Sequence, residues 1–519
     1  MTSPLPLPSR RAVLATAVAA AAAGAAPRAL AQQPPLPAAQ ALPDGQRFDA
    51  GNVAALARAL AKRPYQAAPT EMPDGLRDLT YEQYVTIRPS PSALLWGGEG
   101  RGFVVEPLHR GFVFTVPVAL HVVEDGVVRR VAYDPGRFEF GKLKSPEAGR
   151  DLAFSGFRVY AAFGAGQPVD FALFQGATFF SALAAGQGFG IQARGLSIRT
   201  AEARGEEFPY FRAFWIERPS VGQGALVVHA LIDSESTTAA LRMTLRPGET
   251  SHVDVEGTLF PRATLDHVGL AGMAASYLFG PSDRRNVDDA RPGVYEVNGL
   301  LVANGGAETL WRPVQNPETL QVSAFMDRDP KGFGLMQRAR DYASFQDDDQ
   351  HWERRPSLWV EPLAEWGEGA VQLVEIPSDS EVNKNVIAYW RPKAPIPAAS
   401  EFPFGYRQSW CWQPPHRPAL AAVAGSRVGG VPGGRKRRVL VDFAGEALAA
   451  GAVPADLKAS VSAAPGKVER LRTFAYPERR TLRVSFDLDP GGDNHSELRL
   501  LLEGGGQAIS ETWLYRWTP

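Results

Sequence analysis

The sequence has very little cysteine. Its 519 residues contain one, Cys411, which excludes an intrachain disulfide and any zinc site built from several cysteines. Histidine is also scarce, and its 8 residues do not show the close spacing of a metal-binding pair. We therefore predict no metal ion and no cofactor. Cys411 itself is predicted to be a small buried residue beside Trp410 and Trp412.

The chain also lacks a strong net charge. Lysine and arginine (55 residues) nearly balance aspartate and glutamate (56 residues), which gives a net charge of −1. Nucleic-acid binding depends on a concentrated positive surface, so nucleic acid is not expected as a partner. Glycine (51) and proline (43) are abundant by contrast, which is typical of many short strands joined by tight turns.

Long apolar runs are missing except at the N-terminus. Arg10 and Arg11 precede an alanine-rich run over 12–26, and residues 29–31 have the small-residue pattern of a signal-peptidase site. This run is shorter than the roughly 20 residues of a membrane-spanning helix. Residues 1–31 are therefore predicted to be a signal peptide, of the twin-arginine type because of the arginine pair. The mature protein is expected in the periplasm without a membrane span.

Composition divides the rest of the chain. Residues 32–43 are rich in proline, alanine and glutamine and are predicted to be disordered. Residues 393–403 have a similar bias and are predicted to be a linker. On its two sides we predict a large β-sandwich over 44–392 and an immunoglobulin-like sandwich over 404–519.

Alternating and β-branched runs predict strands through most of the mature chain. Examples are FVVEPL at 103–108 and TLRVSFDLD at 481–489, and EDG at 124–126 is a hairpin-turn signal. Helices are few. Residues 52–62 place apolar side chains on one helical face, and Thr80 is predicted to cap a short helical turn. The pattern indicates an all-β protein.

Polar and aromatic residues are concentrated between residues 281 and 392. Short apolar runs alternate there with loops rich in Asp, Glu, Arg, Asn, Trp and Tyr. A carbohydrate site needs aromatic faces for stacking and polar groups for hydroxyls, and a glycosidic bond is cut by a pair of carboxyl groups. Ordinary solvated loops of a large β protein have a similar composition. Composition alone leaves both interpretations open.

Six longer motifs run through both predicted domains. They are GEEFPYFRAFWIERP (205–219), LFGPSDRRNVDDARP (278–292), GFGLMQRARDY (332–342), RRPSLWVEP (354–362), VQLVEIP (371–377) and SETWLYRW (510–517). In sequence and in order they resemble the periplasmic glucans biosynthesis proteins of the MdoG/OpgG and OpgD type. The twin-arginine pair is closer to the D-type branch.

This resemblance implies a fold and a function. The implied fold is a large N-terminal β-sandwich of the galactose-mutarotase kind, followed by a smaller immunoglobulin-like sandwich. The implied role is the biosynthesis of osmoregulated periplasmic glucans, whose backbone is β-1,2-linked glucose. Some members of the family are inverting β-1,2-glucan hydrolases or transglycosylases that use two aspartates, one as acid and one as base through water. A β-glucan is therefore the expected partner.

The chain departs from the family's pattern at both catalytic positions. Where members have His-Asp-Ser-Asp-Gly-Leu, residues 295–300 read YEVNGL, so the base-side aspartate becomes Glu296 and the second aspartate Asn298. Where members have Glu-Thr-x-Asp-Asn, residues 381–385 read EVNKN, so the presumed general acid becomes Lys384. A lysine with its ordinary pKa of about 10.4 is a poor proton donor to a glycosidic oxygen. In this register the standard mechanism is disabled.

Three accounts of the function remain open. In the first, the protein binds β-glucan in a groove of the large sandwich without cutting it. In the second, another carboxylate, such as Glu381, Asp347 or Asp348, replaces the acid, and the protein is an inverting β-1,2-glucanase or transglycosylase. In the third, the protein is a non-catalytic partner of the inner-membrane glucan synthesis machinery.

The candidate site residues all lie in the stretch from 281 to 392. The catalytic candidates are Glu296 and Glu381. The substrate-binding candidates offer an indole or phenol ring to glucose, or a polar group to its hydroxyls; they are Asn298, Trp311, Tyr342, Asp347, Asp348, Arg354, Trp359 and Lys384. For Trp359, which is flanked by Leu358 and Val360, a place in the core is the alternative.

Overall fold

The computed structural model describes residues 42–149, 151–164, 166–284, 287–432, 434–450 and 452–519. The predicted signal peptide and nearly all of the segment predicted to be disordered lie outside these residues. Leu42, near the end of that segment, is buried in a hydrophobic cluster with Val53 and Trp215. No helix in the described residues is long and apolar enough to cross a membrane.

Strands dominate the described chain. The helices are α1 (Ala50–Ala61), α2 (Tyr81–Tyr84) and short 3₁₀ turns at Pro91–Ala93, Pro135–Arg137, Tyr342–Ser344, Trp352–Arg354, Glu446–Leu448 and Pro477–Arg479. The first strands are β1 (Arg88–Pro89), β2 (Phe103–Leu108), β3 (Ala119–Glu124), β4 (Val127–Arg130), β5 (Phe138–Glu139), β6 (Gly156–Ala161), β7 (Val169–Gln175), β8 (Phe179–Ala182), β9 (Gln192–Arg194), β10 (Ser197–Ile198), β11 (Tyr210–Glu217), β12 (Leu226–Asp233), β13 (Thr237–Arg246), β14 (Ser251–Pro261) and β15 (Val268–Ala275). The later strands are β16 (Tyr277–Phe279), β17 (Val294–Tyr295), β18 (Gly299–Ala303), β19 (Thr309–Pro313), β20 (Gln321–Arg328), β21 (Gly332–Met336), β22 (Ser357–Pro362), β23 (Glu368–Glu375), β24 (Val386–Pro392), β25 (Phe402–Cys411), β26 (Ala422–Gly430), β27 (Arg437–Ala444), β28 (Lys458–Ala464), β29 (Lys467–Tyr476), β30 (Thr481–Asp489), β31 (Ser496–Gly504), β32 (Gln507–Ala508) and β33 (Thr512–Trp517). The all-β class is confirmed.

The local signals for turns and caps are confirmed as well. Thr80 caps α2 through a capping box, in which its hydroxyl accepts from the Gln83 N–H and the Gln83 side chain accepts from the Thr80 N–H. The predicted hairpin turn joins β3 and β4, with φ of 51° at Asp125 and 75° at Gly126. Positive φ at both positions matches the right-handed twist of the flanking strands.

The chain divides into two compact units. Unit 1 contains the described part of Met1–Met273 together with Pro362–Glu365 and Tyr389–Cys411, and unit 2 contains Ala274–Glu361, Trp366–Ala388 and Trp412–Pro519. The predicted linker over 393–403 lies in unit 1, and β25 runs through the predicted boundary at residue 404. The predicted domain limits at residues 392 and 404 stay a prediction.

Unit 1 is a β-sandwich. One sheet has the order β2-β6-β7-β8-β9-β15, and the other has the order β4-β3-β11-β12-β13-β14-β25. Phe157 of the first sheet packs edge-on against Phe214 of the second, with ring centroids 4.9 Å apart. α1 packs its buried Val53 on the other face of the second sheet, so β12 is buried along its whole length. Cys411, at the end of β25, is buried as predicted.

Unit 2 also packs sheet on sheet. One sheet has the order β28-β31-β33-β19-β18-β21-β22 and the other the order β26-β27-β30-β29, while β20 pairs with β23 and β16 with β17. β30 alternates buried and partly exposed residues, which turns one face towards the core. Phe486 of β30 packs edge-on against Trp513 of β33, and Trp311 and Trp359 belong to the same core.

Candidate functional site

The position of Glu296 is fixed by a two-stranded ladder in unit 2. β16 pairs with β17 through Tyr277 and Tyr295, whose rings stack with centroids 5.5 Å apart. Glu296 follows β17, and its N–H donates to the Ser276 carbonyl (2.9 Å). The Ser276 N–H in turn donates to Glu296 Oε2 (3.0 Å). These bonds turn the carboxylate into the interior, where Glu296 is fully buried.

Asn385 fixes the neighbouring segment against the same ladder. Its Oδ1 accepts from the Tyr277 N–H (2.8 Å), and its Nδ2 donates to the carbonyls of Tyr277 (2.9 Å) and Ile376 (3.1 Å). A side-chain amide that bonds the backbone of two segments sets the register between them. The preceding residue, Lys384, is thereby held within reach of Glu296.

Glu296 and Lys384 form a buried ion pair. Lys384 Nζ donates to both carboxylate oxygens and lies 2.5 Å from Oε2. The side chains are 0% and 4% exposed for Glu296 and Lys384, respectively. Burial lowers the pKa of Lys384 below its ordinary value, although the charge of Glu296 opposes this, and the nearby Arg355 lowers the pKa further. The two positions that the resemblance assigns to base and acid therefore bind each other.

A second charged cluster surrounds Arg291. Its guanidinium donates to Glu381 Oε2 (2.7 Å), Asp347 Oδ2 (2.7 Å) and Asp289 Oδ2 (2.8 Å). Burial lowers the pKa of Arg291, but the hydrogen bonds with these carboxylates outweigh burial and raise the pKa above its ordinary value. Arg291 supplies the positive charge that three converging carboxylates require. In the part of the chain that is described, no group of three or more His, Cys, Asp or Glu side chains is placed to hold a metal ion.

Asp347 also organises the turn that follows it. Its Oδ1 accepts from the N–H groups of Asp349 (3.1 Å) and Gln350 (2.8 Å), and its Oδ2 accepts from Trp352 Nε1 (2.9 Å). Burial raises the pKa of Asp347, but these bonds and the Arg291 guanidinium bring it below its ordinary value. Asp347 is therefore ionised and has no proton to give to a glycosidic oxygen.

Tyr342, Asp348 and Arg354 are exposed. Tyr342 is 46% exposed, and its hydroxyl donates to Asp348 Oδ1 (2.9 Å). The Arg354 side chain is 54% exposed, with its Nε 3.7 Å from Glu353 Oε1. These three predicted residues are accessible to a ligand.

The two predicted tryptophans are core residues. Trp359 is fully buried and stacks on His416 with ring centroids 5.7 Å apart. Trp311 is 3% exposed, and the Arg338 guanidinium covers its ring at 3.5 Å from the centroid. Asn298 accepts from the Arg338 N–H (3.1 Å) and lines a small cavity of about 250 Å³ together with Trp311. The enclosed ring of Trp359 and the covered ring of Trp311 leave no open face for stacking on glucose.

The structure thus joins six of the predicted site residues in three separate pairs, and it leaves four outside them. The pairs are Glu296 with Lys384, Glu381 with Asp347 through Arg291, and Tyr342 with Asp348. The residues outside these pairs are Asn298, Trp311, Arg354 and Trp359. Sequence reasoning missed Arg291, although its place two positions after Asp289 in a quoted motif was a usable signal.

Unit 2 also has a polar groove of about 1300 Å³. Carboxylate, amide and hydroxyl side chains line it, among them Asp283, Asp288, Asn316, Glu318, Gln321 and Asp379. None of the ten predicted site residues belongs to its lining. Asp289 also lines the groove and connects it to the Arg291 cluster.

Asn316 holds the wall of this groove together. Its Nδ2 donates to the carbonyls of Leu278 (3.0 Å) and Ser378 (2.7 Å), and its Oδ1 accepts from the Ser378 N–H (2.9 Å). The Asn316 N–H donates to Asp283 Oδ2 (2.7 Å). The groove was missed from the sequence, although the polar run QNPET at 315–319 between two strands was a signal for it.

The fold and these clusters define an all-β protein with a polar groove and two buried or half-buried charge clusters. The sequence model described as "Periplasmic glucan biosynthesis protein, MdoG" matches residues 48–517. The chain therefore belongs to this family of periplasmic glucan biosynthesis proteins, and the family predicted from the motifs is confirmed.

Individual relatives support the same assignment. The chain is 43% identical over 514 residues to the glucans biosynthesis protein G of Rhodopseudomonas palustris (strain BisA53), covering 98% of this chain and 100% of the relative. It is 42% identical over 512 residues to the protein of that name from Bradyrhizobium diazoefficiens, again covering 98% of this chain and 100% of the relative. A galactose mutarotase related enzyme from Lactobacillus acidophilus matches 47% of this chain and 97% of its own at 8% identity, with a TM-score of 0.21. That score is too low to carry an argument.

Proposed function

We propose that this protein serves periplasmic glucan biosynthesis by binding a β-1,2-linked glucan without hydrolysing it. The buried ion pair between Glu296 and Lys384 carries the proposal. Inverting hydrolysis needs a protonated carboxyl group on one side of the glycosidic bond and a carboxylate that activates water on the other. Here Lys384 occupies both oxygens of Glu296, so neither group is available to water or to a sugar.

The substituted-acid account finds less support. Glu381 and Asp347 both accept hydrogen bonds from Arg291, and Asp347 has a pKa below its ordinary value. A general acid must carry a proton at the working pH, and its loss typically costs about 10²–10⁴-fold in rate. Carboxylates held by a guanidinium are poorly suited to that role.

The exposed candidates are the proposed accessory contacts. Tyr342 and Asp348 form a solvent-facing pair, and Arg354 adds a donor in the following turn. Phenol rings pack on the apolar faces of sugars, while charged groups bond their hydroxyls. We propose no stacking role for Trp311 or Trp359, because their rings are covered.

The proposed compartment is the periplasm. The arginine pair, the apolar run and the small-residue site in residues 1–31 support export by the twin-arginine route. The description of the matching family as periplasmic agrees with this compartment. The arginine pair also supports the D-type branch, while the relatives compared above are named as G proteins.

The decisive experiment incubates the purified mature protein with linear β-1,2-glucan and measures both reducing ends and the unfolding temperature. We expect no new reducing ends and a rise in unfolding temperature that a β-1,4-linked glucan of the same length does not produce. Turnover would refute the proposal, and its loss in Glu381→Gln would then identify the substituted acid. Neither turnover nor stabilisation would favour a protein partner instead, to be sought by pull-down from the membrane fraction.

A further inference from the structure

We propose that the polar groove of unit 2 is the glucan-binding site and that its charge selects a neutral glucan over one that carries anionic groups. The inference deepens the proposed function and rests on it. It adds a location and a ligand class, and both follow from the residues that line the groove.

Gln321 indicates that the groove takes a ligand with hydrogen-bond donors. It is the first residue of β20, where its backbone pairs with Glu375, and it is 6% exposed. Gln321 is one of the residues that line the groove, and its buried Oε1 has no hydrogen-bond partner among the described residues. Buried acceptors without a donor are uncommon in native proteins, because an acceptor that has lost its water needs another donor. If the Gln321 side chain turns its Oε1 towards the groove, a hydroxyl group of a bound saccharide would supply the missing donor.

The groove wall is already fixed before a ligand binds. Asn316 makes three side-chain hydrogen bonds to the backbone of Leu278 and Ser378, and its own N–H bonds Asp283. A wall held in this way loses little conformational freedom on binding. The groove volume of about 1300 Å³ is larger than that of most small-molecule pockets, which measure roughly 300–1000 Å³. The groove is therefore of a size for an oligosaccharide.

The lining is acidic. It includes five carboxylate residues and, within the described part of the chain, neither lysine nor arginine: Asp283, Asp288, Asp289, Glu318 and Asp379. Arg291 compensates Asp289, and the backbone of Asn316 bonds Asp283. The other three, Asp288, Glu318 and Asp379, are exposed and form no ion pair with any described residue.

Asp288, Glu318 and Asp379, which have no ion-pair partner among the described residues, give this part of the groove lining a negative charge. A neutral glucan meets them only as hydrogen-bond acceptors for its hydroxyls. An anionic substituent on the glucan is repelled by all three, and salt screens this repulsion over a Debye length of about 10 Å at 0.1 M. At low ionic strength we expect roughly tenfold weaker binding for each unit of negative charge placed in the groove.

The test uses three probes built on one linear β-1,2-glucan oligosaccharide. The first is unmodified, the second carries one succinyl half-ester, and the third carries the methyl ester of that succinyl group. The third probe has nearly the bulk of the second without its charge. Affinity is measured by calorimetry at about 20 mM and about 500 mM salt, since screening removes a purely electrostatic difference.

Two variants locate the charge effect. The triple variant Asp288→Asn/Glu318→Gln/Asp379→Asn removes the negative charges of these three lining residues. The control Asp74→Asn/Asp125→Asn/Glu478→Gln removes the same number of charges from exposed positions outside its lining. The triple variant should bring the ratio between the methyl-ester and the half-ester affinities from roughly ten to near one, whereas the control should keep that ratio. A Gln321→Leu variant should weaken binding of all three probes.

Each outcome decides a different claim. Equal affinity for the second and third probes at low salt would overturn the charge selection. A ratio that falls equally in both triple variants would assign the selection to overall charge and not to the groove. Undiminished binding in Gln321→Leu would place the glucan elsewhere. If the unmodified oligosaccharide fails to bind at all, the proposed function fails, and this inference fails with it.

Discussion

Lys384 Nζ lies 2.5 Å from Glu296 Oε2, and the two residues are separated by 88 positions in the sequence. Burying two charges away from water costs a large desolvation free energy, which the attraction between the charges must offset. Removing one partner therefore affects stability far more than removing both.

Lys384→Met should lower the free energy of unfolding by about 3–5 kcal/mol, because it leaves the carboxylate of Glu296 buried without a counter-charge. The double variant Lys384→Met/Glu296→Gln should lose less, since no unpaired charge remains and the amide oxygen still accepts from the Ser276 N–H. Urea unfolding of the wild type, Lys384→Met, Glu296→Gln and the double variant measures these changes in the free energy of unfolding. A double variant less stable than Lys384→Met would contradict the ion-pair account.

Arg291→Gln should loosen the segments that carry Asp347 and Glu381, because both lose a hydrogen bond to the guanidinium. Hydrogen exchange should accelerate over residues 341–353 and 379–385. Arg291→Lys should give a smaller effect, since an ammonium keeps the charge but not the forked geometry. Unchanged hydrogen exchange in Arg291→Gln would mean that the hydrogen bonds of Asp347 within its own turn hold the segment without Arg291.

Stability should fall on acidification partly because of His109. Burial lowers the pKa of His109 from 6.5 to about 4, although a hydrogen bond to the Arg110 carbonyl opposes this. Between these two values the unfolded chain binds more protons than the folded one, so stability rises with pH through this window and falls as pH drops. The full contribution, present above pH 6.5, is roughly 3 kcal/mol.

Unfolding free energies of wild type and His109→Gln between pH 4 and 7 check this expectation. Glutamine retains a polar group for the Tyr133 hydroxyl but does not titrate. His109→Gln should therefore show a flatter pH profile. The exposed His495 provides the control. If His495→Gln flattens the profile equally, burial is not the cause.

Gly299→Ala should destabilise unit 2 by about 1–3 kcal/mol or more. A Cβ at Gly299 would lie 2.2 Å from Trp311 Cζ2, and this indole is enclosed in the core. Gly425→Ala is the matched strand control, because a Cβ at Gly425 meets nothing within 4 Å. The midpoints of thermal unfolding compare the two variants. Equal midpoints would show that Trp311 moves aside for the added methyl group without cost.

Tyr342→Ala should weaken binding of β-1,2-glucan severalfold without lowering stability, because the ring is exposed. Tyr342→Phe keeps the ring and loses only the hydrogen bond to Asp348. Binding retained by phenylalanine would assign the effect to ring contact, and binding lost in both would assign it to the hydroxyl. Unaltered affinity in Tyr342→Ala would remove this residue from the site.

Local order was readable from the sequence, whereas long-range pairing was not. The alternation of 481–489 and the cap at Thr80 are properties of neighbouring residues, and the structure has both. The contact between Glu296 and Lys384 depends on how Asn385 bonds the backbone of Tyr277, which no periodicity encodes. The sequence therefore gives no sign that Glu296 and Lys384 are partners.

The groove escaped prediction for a related reason. Its lining comes from several distant loops and from strand residues such as Gln321, which is buried at the start of a half-exposed strand. The sequence leaves two roles open for Trp359, because its apolar neighbours Leu358 and Val360 suit a core residue and a stacking platform equally. Only the surrounding packing, here the ring of His416, distinguishes them.

The hydrogen bonds of the Asn385 side chain hold the backbone next to position 384. Because Asn385 bonds the backbone of Tyr277 and Ile376, the course of the chain at position 384 does not depend on which side chain that position carries. A substitution there changes the functional group and the ion pair with Glu296, while the Asn385 side chain can keep its backbone partners. The chemistry of this position and the backbone around it are therefore separable, and the Lys384→Met/Glu296→Gln variant tests this.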